Sequence, residues 1–271
     1  MPRRFEFAVL IVLVLAHQAS AATVRCTPDS VMVGGVCADR YEASAWLIPS
    51  SARSLIAKVR QGKAILAELN AAGATQMGPA TMGTLDPCSG TEYGAGFPAT
   101  GNWTTPVYAV SIPGVLPSVC LTWFQAEQAC RLVGKRLLTN EEWKAIAAGT
   151  PDPGTDDGMS DCNTSTSSQP VKTGSRSKCV SLWGAFDMVG NVWEWTATWL
   201  PRATQCPGWP NGFTDDQMCV TGGDNFGTGP GAVLRGGSVG AGGGAFNGVF
   251  AISSFNCPSD RAANIGFRCG K

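Results

Sequence analysis

The sequence predicts one loop-rich α+β domain held together by disulfides. Three observations predict it: two helices in the middle of the chain with explicit start and stop signals, short strand-like runs separated by glycines beyond residue 150, and 11 cysteines among 271 residues. At 44% hydrophobic residues the chain can bury a core as one domain without metals. A formal net charge of +0 leaves no basic footprint for nucleic acid or an anionic membrane surface.

The first 21 residues read as a secretory signal. Arg3 and Arg4 form a positive start, Phe7 to Ala16 is an apolar run short of a membrane span, and Ala19-Ser20-Ala21 offers small residues for cleavage. An uncleaved anchor is the alternative reading of the same run. Residues 22–271 are then the mature domain, exported to the periplasm, the cell surface or the medium, with no membrane span. The single histidine, His17, lies in the removed segment. Its loss excludes Ser-His-Asp and Cys-His nucleophiles, His-ligated zinc and facial-triad iron. Outside the cytosol the 11 cysteines are first a disulfide framework, and the odd number leaves one over. Short turn-rich loops suggest Cys26 with Cys37, Cys162 with Cys179 and Cys206 with Cys219, although spacing alone does not fix connectivity.

Leu55, Ile56 and Val59, then Ile65, Leu66 and Leu69, recur at helical spacing and predict two short helices broken at Gly62. From Gly73 to Gly101 no period is visible, and the segment reads as loop. Thr122 with Gln125 and Thr139 with Glu142 are capping boxes, each heading a helix with one apolar stripe, and Gly134 and Gly149 are the stops. Beyond Thr150 the runs VWEW, AVLRGG, GVFAIS and IGFRC read as short strands. Asn102 and Asn163 lie in glycan-acceptor triplets of low specificity. The loop holding Asp152, Asp156 and Asp157 is either a further cation loop or a solvated turn.

Four ordered blocks carry a resemblance: VCLTWFQAEQACRLVGKRLLTNEEWKAIAAG (119–149), GAFDMVGNVWEW (184–195), VLRGGS (233–238) and NIGFRC (264–269). Together they resemble the sulfatase-modifying factor, or formylglycine-generating enzyme, family, and Arg40-Tyr41-Glu42 is similar to its opening block. The resemblance implies a C-type-lectin-like fold and, for Cys130 and Cys269, a disulfide joining the first capped helix to the last strand. Cys88 with Cys120 then remains as a pair, with Cys257 left over. A second family bridge would fall on Ala147 and Phe250, where neither cysteine is present.

Family membership does not by itself carry the family's chemistry. Its oxidases bind copper(I) through two cysteines that follow the RGGS block and convert a sulfatase cysteine to formylglycine. Here those positions fall on Gly240 or Ala241 and on Ala245 or Phe246. Copper(I) needs soft sulfur ligands, so the sequence argues against copper and no catalytic residue is assigned. A formylglycine-generating oxidase is the alternative function.

The resemblance also implies a structural calcium held by the side chains of Asp187 and Glu194 and the carbonyls of Gly190 and Val192. Two carboxylates with turn carbonyls suit a hard cation. The competing reading makes Glu194 a buried, hydrogen-bonded carboxylate and Asp187 a turn cap. Trp193 and Trp195 read as core.

Residues 239–264 resemble the substituted segment in variable proteins of diversity-generating retroelements, where it forms a ligand-binding face. By that resemblance the binding residues are Val239, Ala241, Gly243, Asn247, Ile252, Ser253, Ser254, Phe255, Asn256, Arg261 and Asn264. Small adaptable polar groups with an aromatic anchor suit such a face. The expected function is an exported, noncatalytic recognition protein whose partner is a protein or a glycan.

Overall fold

A computed structural model describes residues 25–80, 88–152, 156–167, 169–210, 216–223, 229–239 and 246–271. Residues 1–21, the segment read as a secretory signal, lie outside these residues. Among the described residues no helix is long and apolar enough to cross a membrane.

The chain opens with the hairpin β1 (Ser30–Val33) and β2 (Val36–Asp39), followed by β3 (Ser44–Leu47). Two short helices come next, α1 (Arg53–Arg60) and α2 (Leu66–Ala71), broken at Gly62 as the periodicity predicts. The stretch read as loop is not all loop. Thr75–Met77 forms β4, which pairs antiparallel with β3, while β5 (Val107–Val110) flanks β3 on its other edge. Three residues are too few to show an alternation in sequence, and β3 supplies what fixes them.

Helix α3 (Trp123–Leu132) starts on its capping box: the Gln125 N–H donates to Thr122 Oγ1 at 3.2 Å, and the Thr122 N–H donates back to Gln125 Oε1 at 3.0 Å. Gly134, at φ +76°, follows its end. After the short strand β6 (Arg136–Leu137), α4 (Asn140–Ala147) repeats the device with Thr139 and Glu142 at 3.2 and 2.8 Å. Reciprocal caps satisfy backbone donors that the helices cannot satisfy themselves.

The second half of the chain supplies β7 (Trp193–Pro201), β8 (Met218–Cys219), β9 (Pro230–Gly236), β10 (Gly248–Ser253), β11 (Ile265–Phe267) and β12 (Cys269–Gly270). Three sheets result, ordered β1-β2-β12-β6, β11-β7-β9-β10-β8 and β4-β3-β5. The β7–β11 and β8–β10 pairs are parallel, and the rest are antiparallel. The main core joins α1, α2 and α3 to the second and third sheets through Trp46, Leu69, Leu121, Trp195 and Phe267. A smaller core packs α4 on the first sheet through Leu138, Trp143 and Met188. The expected class, α+β, loop-rich and disulfide-bonded, is the one observed.

Five disulfides staple the loops: Cys26–Cys37, Cys88–Cys120, Cys130–Cys269, Cys162–Cys179 and Cys206–Cys219. Cys257 is buried and takes part in none of them. The Cys130–Cys269 bridge ties α3 to β12 across a Cα separation of 5.6 Å.

Candidate ligand cleft and buried carboxylate centre

The RGGS block ends β9, and its glycines are structural requirements. Gly236 and Gly237 sit at φ +89° and +85°, where side chains are strained. A Cβ on Gly237 would meet Asn247 Oδ1 at 2.3 Å and the Phe246 carbonyl at 2.4 Å. The bare backbone lets the chain returning at residues 246–247 lie directly on the strand end. Arg235 beside them is buried, donating from Nε to Asn140 Oδ1 at 2.7 Å and from Nη1 to the Ala251 carbonyl at 3.3 Å. Losing water on burial lowers its pKa to about 10.

A cleft of about 310 Å³ opens beside this strand end, lined among others by Trp193, Phe246, Phe255, Gln217, Asn256 and Asn264. Four of the expected binding residues line it: Ser253, Phe255, Asn256 and Asn264. The Asn264 amide donates to Ser238 Oγ at 3.1 Å, which orients it. Phe246 is one of the two residues, with Ala245, on which the resemblance lets the second oxidase cysteine fall. The other lining residues are aromatic, amide, hydroxyl or aliphatic, and none is charged.

The remaining expected binding residues are placed differently. Val239, Asn247, Ile252 and Ser254 are buried, with Asn247 donating to the Thr164 carbonyl at 3.4 Å and Ser254 donating to the Pro201 carbonyl at 3.2 Å. None of the four lines the cleft. Arg261 is exposed beside Gly90 and does not line the cleft. Ala241 and Gly243 lie outside the described residues, as do Gly240 and Ala245. Trp195 is core, donating to the Leu121 carbonyl, whereas Trp193 belongs both to the core and to the cleft lining. Its dual placement was invisible in sequence, because a strand residue buried on one side gives the same alternation whether or not its rim meets solvent.

Behind the cleft lies a buried charge centre. Glu194 is bound by Arg268 through Nε at 2.8 and 2.9 Å and through Nη2 at 2.6 Å, and Trp143 Nε1 donates to it at 2.6 Å. Arg268 also donates to the carbonyls of Asp39 and Phe186, joining β2, the loop before β7, and the end of β11. Asp187 takes the left-handed conformation at φ +57° and accepts the Gly174 N–H at 2.7 Å. Burial, against the nearby Arg268 and this hydrogen bond, pushes its carboxyl up to about 7. Glu42, from the RYE block, is also fully buried and accepts from Asn191 Nδ2 at 2.5 Å. Burial first, then the Asp187 and Glu194 charges, raises its pKa well above the ordinary range.

Three buried carboxylates thus face two buried guanidinium groups, Arg268 and, acting on Asp187, Arg176. Both Glu194 oxygens already accept from Arg268 or Trp143, the buried, hydrogen-bonded arrangement of the competing reading, and among the described residues Glu42, Asp187 and Glu194 do not form a close three-ligand cluster. Nearby, Asn163 Oδ1, Thr164 Oγ1 and Asn247 Oδ1 are buried without a hydrogen-bond partner among the described residues. The backbone presses close here, since a Cβ on Gly190 would meet the Asn163 carbonyl at 2.4 Å. Asn163 itself is buried, with its amide donating to the Gln169 carbonyl and Asn191 Oδ1, so this triplet offers no glycan acceptor in the fold. Among the described residues one close cluster of three sulfur or carboxylate ligands occurs, Cys88, Glu92 and Cys120, and its sulfurs are joined in a disulfide. Asp156 organises its loop by accepting the N–H groups of Thr164, Ser165 and Thr166, which holds its carboxyl below the ordinary range despite partial burial. Asp157 does the same for residues 159–161.

Comparison with known proteins decides the family. A profile of the sulfatase-modifying factor enzyme 1-like domain matches residues 98–271, well over half of the chain. The chain belongs to this family. It is 31% identical over 176 residues to the formylglycine-generating enzyme of Streptomyces coelicolor, a match that covers 56% of this chain and 52% of that enzyme. The sulfatase-modifying factor domain of this chain therefore spans about half the length of that curated relative. Among solved structures, the Major Tropism Determinant U1 variant aligns at 19% identity with a TM-score of 0.45, covering 90% of this chain and 52% of that one. CarF aligns at 15% identity with a TM-score of 0.43, covering 87% and 86%.

Proposed function

We propose that this family member is an exported, noncatalytic recognition protein that binds a protein or glycan ligand in the cleft formed by its 239–264 segment. One observation carries the reading: where the family's oxidases place two copper-binding cysteines this chain has glycine, alanine or phenylalanine, while the cleft beside that segment persists with aromatic and amide walls. Aromatic faces flanked by adaptable amides suit recognition without chemistry. Five disulfides are consistent with export.

The test has two arms. Purified protein on glycan and cell-surface protein arrays is expected to give a ligand whose binding falls at least tenfold in Phe255→Ala/Asn256→Ala, with unfolding unchanged. Sibling copies of the gene are expected to differ mainly in codons 239–264, and identical codons across many siblings would remove the diversified version. The match to a formylglycine-generating enzyme favours a second reading, an oxidase acting on a sulfatase cysteine. Incubation with copper, reductant, oxygen and a sulfatase-motif peptide decides it, because aldehyde above a no-enzyme control would overturn the noncatalytic reading.

The same proposal includes a structural calcium at Asp187, Gly190, Val192 and Glu194. The ion would offset the surplus carboxylate charge and fix the loops that back the cleft. Adding millimolar calcium after chelation is expected to raise the melting temperature in proportion to the logarithm of its concentration, and Asp187→Ala is expected to abolish that rise. An unchanged melting temperature in the parent protein, with no metal in the isolated chain, would remove the ion from the proposal.

A further inference from the structure

A second cleft, of about 660 Å³, lies away from the one beside β9. It lies between the α1–α2 turn and the start of α2 (Gly62–Ala67), the turn before β1 (Pro28, Asp29), Arg40 and Tyr41, and Ser111–Pro113. Apart from Ser111–Pro113, its walls precede residue 98 and fall outside the family-matched region. One wall is fixed by Gly62. This residue adopts φ +63°, and a Cβ on it would meet Asp29 Oδ1 at 2.2 Å, so the helical turn is seated on the Asp29 loop. Such a seat makes the cleft preformed, which lowers the ordering cost of binding.

The charged residues on the lining are Asp29, Arg40 and Lys63. Asp29 is engaged from within: Oδ2 accepts from Lys135 Nζ at 2.7 Å, an ammonium it shares with Asp39, and Oδ1 accepts from Thr27 and Ser30 hydroxyls at 2.5 and 3.0 Å. Arg40 and Lys63, by contrast, have no ion pair and no side-chain hydrogen bond among the described residues. Arg131 and Lys58, by comparison, are paired with Glu127 and Glu68, while among the described residues Arg53, Lys144 and Lys172 are as unpaired as Arg40 and Lys63, so it is their place on one cleft that distinguishes these last two cations. The rest of the lining is largely apolar and aromatic. Ile65 is 56% exposed, Leu66 and Ile112 lie beside it, and the Tyr41 ring is held flat against Phe186 at 5.3 Å.

We propose that this cleft is a second binding site, for a small organic oxyanion: one carboxylate or phosphate head on an apolar or planar body. Arg40 and Lys63 meet the head, a guanidinium being suited to a two-oxygen contact, and Ile65, Leu66 and Tyr41 cover the body. The site is separate from the cleft proposed for recognition, so either can fail without the other.

Ligand-observed NMR titrations on the parent protein test the proposal, with benzoate, phenyl phosphate, inorganic phosphate and benzyl alcohol as probes. Benzoate or phenyl phosphate is expected to bind saturably and at least tenfold more tightly than benzyl alcohol or inorganic phosphate. Which of the two binds tighter assigns the head as carboxylate or phosphate. Arg40→Gln/Lys63→Gln is expected to weaken that binding by about tenfold for each cation removed, while the melting temperature stays at the parent value and Arg131→Gln binds as the parent does. Absence of saturable anion binding, equal binding of benzyl alcohol or inorganic phosphate, or a double variant that binds like the parent would overturn it.

Discussion

Arg268→Leu is expected to destabilise the protein by about 3–5 kcal/mol, among the largest effects of any single substitution in the chain. The guanidinium is fully buried, and it is the group that meets Glu194, two backbone carbonyls and the field of Glu42 and Asp187 together. The nearby carboxylates raise its own pKa despite burial. Leucine fills much of the space but leaves Glu194 with Trp143 as its remaining side-chain donor, and leaves two carbonyls without theirs. Arg268→Lys should cost less, because the charge remains while the forked geometry does not. Urea midpoints at neutral pH measure both. A loss under about 1 kcal/mol for the leucine variant would show that the carboxylates relax to water or protonate without cost, and that Arg268 is not what binds the first two sheets together.

Much of this was readable in the chain, and the reasons are specific. The two capping boxes were legible because the signal is local: Thr122 and Thr139 meet partners three residues away, and tertiary context adds only refinements such as the Gln125 contact to the Phe97 carbonyl. The break at Gly62 was legible for the same reason, although its cause was not. Sequence shows a helix-breaking residue, while the structure shows that a side chain there would strike Asp29. Strand β4 was not legible, since its three residues are held by β3 and not by their own pattern. The same limit applies to the site. A segment that alternates small and polar residues gives no indication that Asn247 and Ser254 turn inward while Asn256 and Asn264 turn toward the cleft. Glu42 escaped assignment to the charge centre because it reaches Asn191 across 149 positions of sequence. The cleft at Arg40 and Lys63 escaped too, because the two residues lie in connecting segments 23 positions apart and no sequence pattern joins them.

The framework of cysteines permits the sharpest quantitative expectation. If disulfides act mainly by restricting the unfolded chain, the loss on removing each should follow the length of loop it closes. Cys130–Cys269 spans 139 residues, Cys88–Cys120 spans 32, and Cys26–Cys37 spans 11. The chain-entropy relation then assigns about 5, 4 and 3 kcal/mol respectively. The first bridge has a further cost, since Cys130 and Cys269 are fully buried in the main core and alanine at both leaves a void beside Phe267 and Leu137. Double alanine variants of each pair, compared by urea denaturation under oxidising conditions, should therefore rank in that order, with the Cys130/Cys269 variant unfolded or nearly so at 37 °C. Equal losses, or a larger loss for the 11-residue bridge, would mean that local geometry and not loop length sets the contribution. In that case the helix-to-strand bridge would be a consequence of tight packing between α3 and β12 and not its cause.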